Sequence, residues 1–196
     1  MNDTTVTETI LEEREVFRGR KFRVLERDIR LTDEHVATWE VLDKGWDSVA
    51  MVPLDHEGNV HLVREYFGAT NERAICLPKG KIDPGEDADA AAGRELREEI
   101  GCGGTLTRLG TLSVSPGYLT QRTILFLARD LYEEHLEGDE VQFIQPTVIP
   151  LTTALTMCMN GQITESRTIA GLFMAARYVE AEGRAYVHRT PGADND

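Results

Sequence analysis

Three glutamates, Glu95, Glu98 and Glu99, stand at i, i+3 and i+4, which on a helix is one face. Like charges so placed repel by a few tenths of a kcal/mol per pair (~0.2–0.5), so a positive partner is expected beside them. Hard carboxylate oxygens favour Mg²⁺, Mn²⁺ or Ca²⁺ over metals that prefer thiolates. The glutamates close a longer pattern: Gly80, then Glu86, then Arg94, Glu95 and Leu96, then Glu98 and Glu99, then Gly101 and Cys102. A merely solvated acidic helix would account for the glutamates, but for neither glycine nor for Arg94. Cys102 serves as a small hydrophobe in the last slot.

These residues need a helix with a defined start and stop. Pro84 and Gly85 make a turn, and Asp87 is a suitable N-cap for a helix over about residues 88–100. Gly101 ends it, and Gly103 and Gly104 cannot continue it. With Glu95 at 0°, Glu99 lies at about 40° and Glu98 at about −60°, while Leu96 and Ile100 lie at about 100° and 140°. One side of the helix is therefore expected in the core and the adjoining side carries the carboxylates, a rigid platform for a metal site.

The rest of the chain supplies sheet. Residues 9–45 read as strands, with short runs at 15–18, 21–31 and 35–42 and a turn at 32–34, a small antiparallel β appendage. Residues 48–54 and 60–66 flank a hairpin signature at 55–59, and 74–77 is a short strand entering the box. Residues 104–114 and 122–131 read as strands around a loop at 115–121, 131–143 as acidic and irregular, and 147–151 as a last strand. Ile169, Leu172, Phe173, Ala176 and Val179 recur at helical spacing up to Gly183. The expectation is an α/β protein: a mixed sheet with helices on its faces. Its divisions would be an N-terminal β segment (1–45), a main domain (46–190) and a loose tail (191–196), with 1–7 loose as well.

Composition sets the bounds. The 196 residues are 41% hydrophobic and 28% charged, as in a soluble domain. No apolar run reaches the length of a membrane span, and the polar, acidic start is neither a secretory signal nor a transit peptide. A net charge of −13 argues against nucleic acid or an anionic membrane as partner. It would also repel a phosphate-bearing substrate unless a cation and local arginines reverse the sign. Cys76, Cys102 and Cys158 are an odd number without ligand spacing, so reduced, cytoplasmic thiols are expected.

The pattern from Gly80 to Cys102 resembles the signature of the Nudix hydrolases at every fixed position. The resemblance implies an α/β/α sandwich and Mg²⁺ (or Mn²⁺) held by Glu95, Glu98 and Glu99, with a backbone carbonyl near Gly80 as a further ligand. Glu86, Arg94 and Gly101 match structural positions, the arginine orienting the carboxylates. The implied chemistry is metal-assisted hydrolysis of a nucleoside diphosphate linked to a group X, with Glu99 central. In ADP-ribose-type members the base comes from an acidic loop downstream of the box. The matching stretch here is 136–140, with Glu140 the candidate and Asp139 and Glu137 behind it.

Outside the box, residues 17–26, 38–41, 62–66, 77–86, 115–117, 130–140 and 164–174 resemble ADP-ribose pyrophosphatases, and most closely the bacterial ADP-compound hydrolases. That group takes ADP-ribose, diadenosine di- and triphosphates and NADH. Phe22 and Trp39 match aromatics that sandwich the base across a homodimer, although both also suit ordinary strand positions; Pro116 and Tyr118 form a matching loop. Phe67 stands where many relatives carry a phosphate-binding arginine, and Cys76 where many carry a glutamate. Arg64, Arg73 or Arg122 would have to supply the charge, which favours the broader ADP-compound reading. The alternatives are a nucleotide-sugar hydrolase of the GDP-mannose type and a catalytically silent ligand sensor. A sensor usually loses box glutamates, and this chain keeps them all.

Overall fold

The computed structural model describes residues 8–32, 35–137 and 144–189. The expected loose ends at 1–7 and 191–196 lie outside them. The chain forms two compact units. One takes in the chain up to Asp47 together with Ser113–Arg122; the other is Ser48–Leu112 with the chain from Thr123 on.

The first unit is an antiparallel sheet of β1 (Thr9–Arg18), β2 (Arg23–Thr32) and β3 (His35–Asp43), in that order. The first strand begins well before the short run at 15–18 that the sequence pattern picks out. Its charged residues hide the strand in sequence but pair across it in space. Arg14 reaches Glu26 at 2.7 Å and Asp28 at 2.8 Å, and Arg27 reaches Glu13 at 2.6 Å. Leu25 and Val41 are buried, whereas Ile10, Leu11, Val16, Phe17, Phe22, Val36 and Trp39 are exposed. The 115–121 loop is tied to the end of β3: Leu42 N–H donates to the Tyr118 carbonyl at 2.6 Å, and Thr120 N–H to the Leu42 carbonyl at 3.1 Å.

The second unit is built on a four-stranded mixed sheet ordered β7 (Lys79–Lys81), β4 (Ser48–Pro53), β9 (Arg122–Glu133), β8 (Cys102–Ser113). Strand β4 runs parallel to β9 and antiparallel to β7. Side chains alternate across a strand, and here both faces are covered. Val49, Met51, Phe126 and Ala128 pack on Ala91, Ala92 and Leu96 of α1 (Ala88–Glu99). Ala50, Val52, Leu125 and Leu127 turn the other way, toward Ala154 of α2 (Leu151–Met159) and Leu172 and Ala175 of α3 (Ser166–Arg189). This is the helix–sheet–helix sandwich expected from the sequence. A second, antiparallel sheet, β10 (Gln145–Pro150), β5 (Asn59–Phe67), β6 (Glu72–Cys76), completes the unit.

Three local expectations need correction. The turn at 55–59 forms, with Asp55 N–H donating to the Asn59 carbonyl at 3.0 Å. Its arms share only the Leu54–Val60 bridge, however, and then join different sheets. The helix α2 follows β10 without a break at Pro150, which starts it with no side-chain cap; its threonines weaken the helical signal, and packing of Ala154, Leu151 and Leu155 holds it. On α3 the buried positions include Thr168, Gly171, Leu172 and Ala175, while Phe173 is exposed, so the inward face is rotated from the expected one. No helix among the described residues is long and apolar enough to cross a membrane.

Candidate active site

The loop into α1 is a sequence of short bonds. Glu86 N–H donates to the Asp83 carbonyl at 3.0 Å, and Asp83 N–H returns a bond to Glu86 Oε2 at 3.1 Å. Gly85 takes φ +85°, a left-handed value that glycine adopts without strain. Asp87 caps the helix by accepting from Ala90 N–H at 2.7 Å. At the other end Ile100 is the C-cap and Gly101 follows at φ +68°, the left-handed stop expected of it.

On this helix Arg94 gathers the carboxylates. Its Nε and Nη2 bond Glu86 Oε1 and Oε2 at 3.0 and 2.9 Å, a two-pronged pairing. Its Nη1 reaches Glu95 Oε1 at 2.7 Å and Glu98 Oε2 at 3.1 Å, and Nη2 also bonds the Lys81 carbonyl at 2.9 Å. Hydrogen bonding from Arg94 holds the Glu86 carboxyl below its ordinary range, and Glu86 in turn raises the guanidinium's pKa. Glu95 and Glu99 are buried. Glu99 Oε2 accepts the Lys79 backbone N–H at 2.9 Å.

Gly80 faces Glu95 so closely that a Cβ there would stand 1.9 Å from the carboxyl carbon. The missing side chain is what lets the Glu95 carboxylate lie against β7. Among the described residues no three acidic, histidine or cysteine side chains already converge as a cage for an ion, and Arg94 links the three box acids it touches. In donor type the set still fits a hard divalent cation: carboxylate oxygens on one helix.

Sequence reading showed no sign of the role of the Lys79 side chain. The ammonium is buried against Glu65, lies 3.4 Å from Cys76 Sγ and stands 5.3 Å over the Phe67 ring. Burial opposes its charge, yet the carboxylates of Glu65 and Glu99 outweigh that, so its pKa is raised. Burial pushes the Cys76 thiol up to about 12. A lysine between Pro78 and Gly80 carries no sequence signal of turning inward, because its partner lies on another strand.

The other expected contacts belong to both units. Arg64 is exposed on β5, in the unit that carries the box. Phe22, Trp39, Pro116 and Tyr118 are exposed and belong together to the first unit. Phe22 lies 6.5 Å from the Phe17 ring. Glu137 is exposed; Asp139 and Glu140 lie outside the described residues.

Residues 45–163 match the NUDIX domain model, and the chain belongs to the Nudix family. It is 34% identical to the ADP compounds hydrolase NudE of Escherichia coli (strain K12), over 90% of this chain and 95% of that one. It is 26% identical to the ADP-ribose pyrophosphatase of Bacillus subtilis (strain 168), over 84% and 90% of the two chains. A crystal structure of an ADP compounds hydrolase superposes with a TM-score of 0.82 at 33% identity, covering 90% of this chain and 96% of that one.

Proposed function

We propose that the protein hydrolyses the diphosphate of ADP-linked compounds, such as ADP-ribose, diadenosine di- and triphosphates or NADH, and releases AMP. The observation that carries this is the set of box carboxylates that Arg94 gathers on α1, in a chain similar over nearly its whole length to an ADP compounds hydrolase. With ADP-ribose, water adds at one phosphorus, the bridging P–O bond breaks, and AMP and ribose 5-phosphate leave.

Glu95, Glu98 and Glu99 would hold Mg²⁺ or Mn²⁺, with a main-chain carbonyl near Gly80. Bound there, the cation supplies charge neutralisation for the diphosphate and a more acidic water. Arg94 and Glu86 keep the carboxylates in register. Glu140 takes the proton from the attacking water, with Glu137 and Asp139 as the neighbouring acids. Arg64 meets phosphate charge, and the exposed rings of Phe22, Trp39 and Tyr118 offer faces for adenine, Pro116 shaping the loop that carries Tyr118. The protein acts as a homodimer in the cytoplasm; its three free cysteines suit a reducing compartment.

The test is a panel of nucleotide substrates with Mg²⁺ and product identification. AMP release from ADP-linked compounds, abolished by chelation, is expected. Turnover of GDP-sugars alone would overturn the adenine assignment. Binding of ADP-ribose without AMP release, with Mg²⁺ or Mn²⁺, would favour a sensor. Glu140→Gln is expected to lower kcat with little change in KM, and retained activity would move the base to another residue.

A further inference from the structure

The passage from β6 to β7 takes only Leu77 and Pro78, and main-chain bonds anchor it on three sides. Leu77 N–H donates to Thr168 Oγ1 at 3.0 Å, Met51 N–H donates to the Pro78 carbonyl at 3.0 Å, and Lys79 N–H donates to Glu99 Oε2 at 2.9 Å. The last of these bonds reaches a box carboxylate. The backbone at its donor pairs with Ala50 of β4, and the Lys79 side chain turns back to Glu65 in the middle strand of the other sheet. Both side chains of that pair are largely buried, at 10% and 18% exposure, so neither charge is easily given up to solvent. Cys76, whose S–H lies 3.5 Å from Glu65 Oε2, and the Phe67 ring close the surroundings of the ammonium.

We infer that Lys79 and Glu65 are a positioning pair for the reaction: the ion pair pins the start of β7, and β7 thereby holds the Lys79 N–H against Glu99 and sets that carboxylate for the metal. The pair acts through the backbone, and neither residue needs to touch substrate. Ligand-orienting groups of this kind typically change metal affinity or activity by roughly 10–100-fold when removed. This inference rests on the functional reading above.

The experiment uses the full chain and compares wild type with Lys79→Met, Glu65→Gln and the double variant. Mn²⁺ binding is followed by electron paramagnetic resonance, folding by Tm, and turnover of ADP-ribose with Mg²⁺ by kcat and KM. Each single change leaves a buried charge unpaired, so Tm falls, and the double variant recovers most of it. Mn²⁺ binding is expected to weaken tenfold or more in the singles and to stay weak in the double variant, with kcat falling more than KM changes. Should Lys79→Met not fold, Glu65→Gln and the double variant still decide. Recovery of Mn²⁺ binding together with Tm in the double variant would show a purely structural pair and overturn the inference. So would wild-type Mn²⁺ affinity in the folded single variants. A wild-type protein that neither binds Mn²⁺ nor releases AMP would overturn the functional reading itself, and this inference with it.

Discussion

A methyl group added at Gly80 would collide with the far end of a flexible side chain, since all three closest atoms belong to the Glu95 carboxyl. Gly80→Ala is therefore expected to leave the fold intact, with circular dichroism unchanged, and to displace that carboxylate. Mn²⁺ affinity should fall by about 10–100-fold; unchanged affinity would remove Glu95 from the metal site. Glu99→Gln keeps the shape and the acceptor for Lys79 N–H but loses the charge. It should cost more than the roughly 100-fold limit of an outer-shell change, in kcat, on a protein of unaltered Tm. Near-normal turnover would mean the site is assigned wrongly. The box was legible because one contiguous stretch encodes it: caps, helical spacing and the paired arginine all lie within residues 80–102. Lys79 and Glu65 were not legible, since they meet only after two sheets have formed.

At the next scale, α3 is tied by its first turn to the segment that leads into the box. Glu165 Oε2 accepts Thr168 N–H at 2.8 Å and Thr168 Oγ1–H at 2.7 Å, while Thr168 Oγ1 accepts Leu77 N–H at 3.0 Å. Thr168→Val would leave the buried Leu77 N–H unpaired at a cost of about 1–3 kcal/mol, seen as a lower midpoint in urea. Burial alone would raise the Glu165 carboxyl, but Arg167 and the Thr168 bonds more than offset it, so it titrates below its ordinary 4.5. A depressed acid contributes stability that is complete above its unfolded pKa and is lost as pH falls through the folded value. The Tm gap between wild type and Glu165→Gln should thus be full at neutral pH and shrink once the pH drops below about 4.5; a constant gap would assign the effect to shape instead of charge. Strands that are continuous apolar runs, such as β4 and the first half of β9, were readable from sequence. The start of β1 and the whole of α2 were not, because cross-strand ion pairs and packing, rather than local pattern, stabilise them.

For the molecule as a whole, the first unit exposes Ile10, Leu11, Val16, Phe17, Phe22, Val36 and Trp39, more apolar surface than a lone three-stranded sheet would comfortably leave in water. Light scattering is expected to give twice the 21.9 kDa chain mass. A monomer would remove the homodimer and any cross-subunit role for Phe22 and Trp39. The net charge of −13 acts on this same surface. Far from neutrality it keeps separate molecules apart. Near pH 4.8, where the chain's charge vanishes, that restraint is gone and the outer strand β1, flanked by exposed apolar side chains, is open to edge-to-edge pairing. The sheet that would join two copies in solution then becomes the nucleus of a precipitate, and the solubility minimum of the protein should follow its N-terminal strand more closely than its catalytic half.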